Sequence, residues 1–130
     1  MSLLPLSVLR GIGWILGRML FYVVPFRRKI ALRNLELCFP EVDAAQRKAW
    51  VKENFVIFCQ TWLDRSWLWF APQKTVAART RMTGALEELD GDEPTIIFAP
   101  HFYGMDAGGT ALTIYCSRPF TPIFPTQPNA

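Results

Sequence analysis

The chain has one histidine, three cysteines and no long run of like charge, and each scarcity closes off a class of chemistry. Cys38, Cys59 and Cys116 are odd in number, widely spaced and free of any C-x-x-C pattern, so neither a disulfide framework nor a zinc site is expected. They read as small buried hydrophobes of a reducing compartment. No metal and no cofactor is called for by any cluster of ligating residues. The chain also lacks an internal repeat and a low-complexity tract. At 51% apolar residues, it is too hydrophobic for a disordered or collagen-like polymer.

What is present fits one small domain of 130 residues with an uneven charge distribution. Residues 1–39 carry six basic side chains against one acidic, whereas the remainder carries eight against ten. An apolar, basic front end points to anionic lipid headgroups. Nucleic acid is not an expected partner, because no basic stripe with interleaved aromatics continues along the body.

Residues 3–26, LLPLSVLRGIGWILGRMLFYVVPF, form an apolar stretch long enough for a membrane-anchoring helix, since about 20 residues span about 30 Å of hydrocarbon. Arg10 and Arg18 interrupt it, each off-centre and able to snorkel towards headgroups, so a tilted span and a shallow interfacial helix both remain open. No A-x-A-like cleavage site follows, and the segment is expected to stay attached. Arg27, Arg28 and Lys29 directly after it mark a membrane interface on the cytoplasmic side by the positive-inside rule. Gly13-x-x-x-Gly17 has helix-dimer spacing, but ordinary glycines of a membrane-facing helix are the favoured reading.

Further helices follow. KIALRNLEL at 29–37 places Ile30, Asn34, Leu37 and Cys38 near one face, and Phe39-Pro40 ends it. Asp43 with Gln46 resembles a capping box that opens a long helix from about Ala44 to Ala71, closed by Pro72. Phe55, Cys59, Trp62, Ser66 and Trp69 recur on it at core spacing. Beyond Pro72 come a polar stretch at 73–80, an extended piece at 81–83 and a helix near Ala85–Leu89.

Thr95-Ile96-Ile97-Phe98-Ala99 reads as a strand buried on both faces, a helix follows near Leu112–Cys116, and a second extended piece is expected at Phe120–Phe124. Strand, helix, strand implies a right-handed crossover. The expected class is therefore α/β, with amino-terminal membrane-associated helices followed by the start of a mostly parallel sheet with a crossover helix, in an incomplete domain.

The chemistry belongs at PHFYGMD, 100–106, where strand gives way to helix. His101 and Asp106 are the catalytic candidates: an imidazole near a carboxylate can act as a base with an orienter. Regular helix cannot join them, because five residues rotate about 500° and leave the side chains about 140° apart. His101 must precede the helix proper, with Gly104 making the bend. On spacing alone, a helix-capping aspartate beside an unrelated loop histidine is the better reading.

PHFYGMDAGG at 100–109, together with RRKIALRNLELCFPE at 27–41, resembles the lipid A biosynthesis acyltransferases of the lauroyl/myristoyl type, which share the His-x-x-x-x-Asp motif with glycerolipid acyltransferases. The resemblance implies a membrane-anchoring helix at 1–26 and the amino-terminal part of an acyltransferase domain at 27–130. It implies transfer of a fatty acyl chain from an acyl carrier protein thioester to a hydroxyl of a lipid A precursor, at the cytoplasmic face of the bacterial inner membrane. His101 would be the general base and Asp106 its orienter, with Phe102, Tyr103 and Gly104 in contact with substrate. The basic residues that such enzymes carry near 123–129 are replaced by Thr126 and Pro128 here, so the 130 residues alone are expected to be weak or inactive. The alternative is a non-catalytic membrane-associated remnant that binds lipid or a partner.

Overall fold

The computed structural model describes residues 4–84 and 86–121. Six helices follow in order: α1 (Leu6–Val23), α2 (Pro25–Cys38), α3 (Ala44–Leu68), α4 (Gln73–Arg79), α5 (Glu87–Asp90) and α6 (Met105–Tyr115). The apolar amino-terminal stretch splits at Pro25, which lacks an N–H and sits at the first turn of α2, so Pro25 and Phe26 belong to the second helix. α2 thus begins earlier than the 29–37 pattern suggested, and it ends as expected before Phe39. Asp43 caps α3, its Oδ1 accepting from the N–H groups of Ala45 and Gln46 at 2.8 and 2.9 Å.

The main packing unit is the antiparallel pair of α1 and α3. Gly13 and Gly17 are both buried, and they face Gln60 and Val56 one helical turn apart on α3. A Cβ on Gly17 would lie 2.4 Å from the Cα of Val56, so the two backbones meet only because there is no side chain between them. The Gly-x-x-x-Gly spacing therefore serves a contact within the chain. Arg10 likewise turns inwards along the pair, donating to Asp64 Oδ2 at 2.9 Å and to Gln60 at 3.4 Å. Phe21 closes the far end edge-on to Phe55.

A cluster of Leu9, Trp67, Leu68 and Val76 joins α1, the end of α3 and α4, with Ala107 and Ile114 of α6 packed against it. Each such side chain contributes about 1.5–3 kcal/mol on burial. This cluster seats α6 on the carboxyl end of α3. The Tyr115 hydroxyl reaches the carbonyls of Ala77 and Thr80 at 3.0 and 2.9 Å, which fixes the other end of α6 to α4.

Several expectations need correction. Most of the stretch at 73–80 is the helix α4, anchored by buried Val76 and capped by Thr80. On α2, the side towards α3 is that of Ala31 and Leu35; Ile30, Leu37 and Cys38 are exposed. Only Cys59 among the cysteines is fully buried, and that burial pushes its thiol pKa up, as suits an inert core residue. The expected seam on α3 straddles two faces: Cys59 joins the buried set with Val51, Val56 and Trp67, whereas Trp62 and Trp69 are exposed.

The largest correction concerns the sheet. Among the described residues there is no strand, and Thr95–Ala99 runs without ladder partners. Ile96 and Phe98 are 94% and 88% exposed rather than buried on both faces. A helix closes its backbone hydrogen bonds on itself, but a strand needs a neighbour, and among the described residues none stands beside this segment. The described part of the chain is accordingly helical, and the start of the sheet is not seen among the described residues. The extended piece expected at Phe120–Phe124 and the segment 123–129 lie largely or wholly outside the described residues.

Candidate active site

The loop from His101 to Gly104 leads into α6, and its shape follows from two features of the sequence. Phe102 donates its N–H to the carbonyl of Pro100 at 2.9 Å, which turns the chain directly after the proline. Gly104 then adopts φ 87°, a left-handed conformation that favours glycine, and Met105 begins the helix. His101 therefore stands before the helix and Asp106 in its first turn, as the rotation argument required. The helix dipole favours a carboxylate at that position.

The loop lies over one face of α3. Asn54, Phe58, Thr61, Trp62 and Arg65 follow at helical spacing and form one wall of a cavity of about 650 Å³; His101, Phe102, Tyr103, Gly104, Met105 and Asp106 form the other. Two side-chain contacts tie the walls together. The Tyr103 hydroxyl donates to Asn54 Oδ1 at 3.1 Å, and Arg65 Nε donates to Asp106 Oδ2 at 2.7 Å. Asn54 and Arg65 are 11 residues apart, about 16 Å along the helix, so the loop is held at both ends.

His101, Phe102, Tyr103, Gly104 and Asp106, all singled out from sequence, thus line one cavity. His101 and Asp106 share it without a hydrogen bond between them: among the described residues His101 has no such partner, and its ring is exposed. Asp106 is instead engaged by Arg65, whose guanidinium lies 4.4 Å from the Trp62 ring centroid and 5.5 Å from that of Trp69. Sequence reasoning missed Arg65, along with Asn54, Phe58 and Thr61. The available signal is the 54, 58, 61, 65 register, one residue off the 55, 59, 62, 66 seam.

The basic cluster lies elsewhere. Arg27 and Lys29 are exposed, whereas Arg28 donates to the carbonyl of Phe21 at 3.0 Å and packs over its ring, satisfying the carboxyl end of α1. The polar rim and aromatic wall around an imidazole and a carboxylate suit proton transfer beside an apolar group.

Residues 1–130 match the model of the bacterial lipid A biosynthesis acyltransferase family. The chain belongs to that family. It is 35% identical over 108 residues to the lipid A biosynthesis lauroyltransferase of Escherichia coli K12, covering 81% of this chain and 35% of that protein. It is 29% identical over 116 residues to the lipid A biosynthesis palmitoleoyltransferase of the same organism, covering 84% and 37%. A lipid A biosynthesis acyltransferase of Haemophilus influenzae is 26% identical over 118 residues, covering 86% and 37%. The family members thus extend well beyond it: this chain spans little more than a third of the length of these curated relatives. No solved structure matches it.

Proposed function

We propose that this chain carries the base-bearing part of a lipid A acyltransferase, which moves a fatty acyl chain from an acyl carrier protein thioester to a hydroxyl of a lipid A precursor. The observation that carries this reading is the single cavity lined by both His101 and Asp106 in a chain of this family. A hydroxyl is a weak nucleophile near neutral pH. Neutral His101 accepts its proton as the oxygen attacks the thioester carbonyl, the carbon–sulfur bond breaks, and the imidazolium returns the proton to the departing sulfur. Asp106 orients the ring and favours its charged form, as carboxylates do in hydrolase triads. Phe102 and Tyr103, with Phe58 and Trp62 opposite, offer the apolar surface an acyl chain needs, and Gly104 keeps the turn open.

The same reading places the protein at the cytoplasmic face of the inner membrane, with Arg27 and Lys29 towards the headgroups. α1 is the one helix among the described residues that is long and apolar enough to cross a bilayer. Its buried side is pressed along α3, which carries Lys52, Glu53, Asp64 and Arg65, charges that are costly in hydrocarbon. α1 lying in the interface, its Trp14, Ile15, Met19 and Tyr22 exposed to lipid, accommodates both helices.

The test is acyl transfer to a lipid A precursor by the full-length protein in membranes. His101→Ala should lower turnover by about 100-fold or more, and Asp106→Asn by less, while both stay in the membrane fraction. Unchanged turnover in His101→Ala would sink the assignment. It would favour the non-catalytic, lipid- or partner-binding reading, for which the observation is that His101 has no hydrogen-bond partner among the described residues. The 130 residues assayed alone are expected to give no product above the His101→Ala control.

A further inference from the structure

We propose that Arg65 is a positioning residue for this reaction, acting through Asp106. The inference rests on the acyltransferase reading of His101 and deepens it. Asp106 reaches the cavity from the first turn of a helix that begins at a left-handed glycine, so backbone geometry alone leaves its carboxylate free to rotate. Arg65 removes that freedom. The ion pair joins residues 41 apart in sequence and uses Nε and Oδ2 at 2.7 Å, which leaves Oδ1 for the imidazole. The two side chains are 29% and 27% exposed, so water screens the contact only in part.

Arg65 is itself held before it meets Asp106. Trp62 lies three residues before it and Trp69 four after, on the same side of the helix, and their rings flank its guanidinium. Stacking restricts a long side chain that would otherwise sample many rotamers, so less order has to be imposed when the catalytic pair assembles. This also accounts for two exposed tryptophans that the core does not use.

The charge of Arg65 has a second effect. The charged or titratable groups lining the cavity are Arg65, His101, Tyr103 and Asp106. On the elements packed behind them, Asp64 is taken up by Arg10 and Trp67, and Arg79 of α4 stacks over Trp67. A cation on Asp106 offsets the field that the carboxylate exerts on the imidazole.

The experiment measures acyl transfer by the full-length protein against pH for the parent, Arg65→Met, Arg65→Lys, Asp106→Asn, the double variant Arg65→Met/Asp106→Asn, and His101→Ala. Arg65→Met is expected to lower kcat about tenfold with a smaller change in KM, and to move the acid limb of the kcat profile to higher pH. Arg65→Lys keeps the charge but loses the Nε contact, so it should hold the acid limb in place and recover part of kcat. In the Asp106→Asn background, Arg65→Met should add little. Multiplicative losses in the double variant, or equal losses in Lys and Met with an unmoved acid limb, would overturn the proposal. Should Arg65→Met fail to fold, the Arg65→Lys profile decides by itself: a shifted acid limb overturns the proposal, and a fixed one with reduced kcat supports it. Full activity in His101→Ala would instead remove the reading beneath it, an outcome readily told apart.

Discussion

Helix α1 and the stretch from Thr95 to Phe102 are both predominantly apolar and end in opposite conditions. In the first, Leu9, Gly13, Gly17 and Phe21 are buried along one stripe, and the two glycines meet Gln60 and Val56 at backbone distance. In the second, Ile96, Phe98 and Phe102 stand 94%, 88% and 74% exposed. Hydrophobicity does not separate the two. The difference lies in what each backbone needs from elsewhere: a helix requires one apolar stripe to be covered, while a strand requires a hydrogen-bonded neighbour along its whole length.

Glycine substitutions on α1 should break this comparison most severely. At Gly17 a methyl group would meet backbone atoms of Val56 and Phe55, which cannot turn aside as a side chain can. Gly17→Ala should therefore destabilise by about 1–2 kcal/mol, an overpacking cost of about 1–3 kcal/mol set against a helix-propensity gain of up to about 1 kcal/mol. A Cβ on Gly11 would meet nothing within 4 Å, so Gly11→Ala collects the gain alone and should stabilise by up to about 1 kcal/mol. Denaturant unfolding of the two variants side by side measures the contrast. Equal effects of the same sign would mean that α1 and α3 do not meet through Gly17.

A smaller effect is expected at Phe98. In the 130-residue chain, Phe98→Ser removes a side chain that touches little, so stability should change by no more than about 0.5 kcal/mol. The same substitution in a protein that pairs this segment into a sheet would cost about 3 kcal/mol or more. Measuring both sharpens the comparison directly, because the residue is constant and only its neighbours differ.

This contrast also sets how much was legible in the sequence. Asp43 and Pro40 act within a turn or two of themselves, and they marked the start of α3 and the end of α2 well, whereas α3 ends at Leu68, three residues before the Ala71 expected from Pro72. Gly104 was legible for the same reason, since the rotation between His101 and Asp106 demanded a bend between them. The face of α3 was less so: Phe55 and Cys59 against Asn54 and Phe58 differ by one residue, and a helix aromatic on several sides gives no sharp stripe. Arg65 could be read only through Asp106, and their contact depends on where Trp67 and Leu68 seat α6. The strand at 95–99 had the right composition, but composition carries no information about a partner.

The smallest expected effect tests a contact that is entirely local. Arg33 Nη1 donates to Glu36 Oε2 at 2.7 Å, three residues along the exposed side of α2, and the hydrogen bond and charge of Arg33 lower the Glu36 pKa below its usual value of 4.5. A carboxylate whose folded-state pKa is depressed adds stability that is present above the unfolded value and is lost as pH falls through the folded one. Both side chains are more than half exposed, so the contribution sits with the weakest surface pairs and fades in salt. Arg33→Ala should return the Glu36 midpoint towards that of an unpaired glutamate in a carboxyl-resolved NMR titration. It should leave the α1–α3 pair unaffected, because Arg33 makes no contact with either helix among the described interactions. An unmoved midpoint would show that the pair does not form in solution, whereas a change in global unfolding would show that α2 is tied more tightly to α3 than its unburied face suggests.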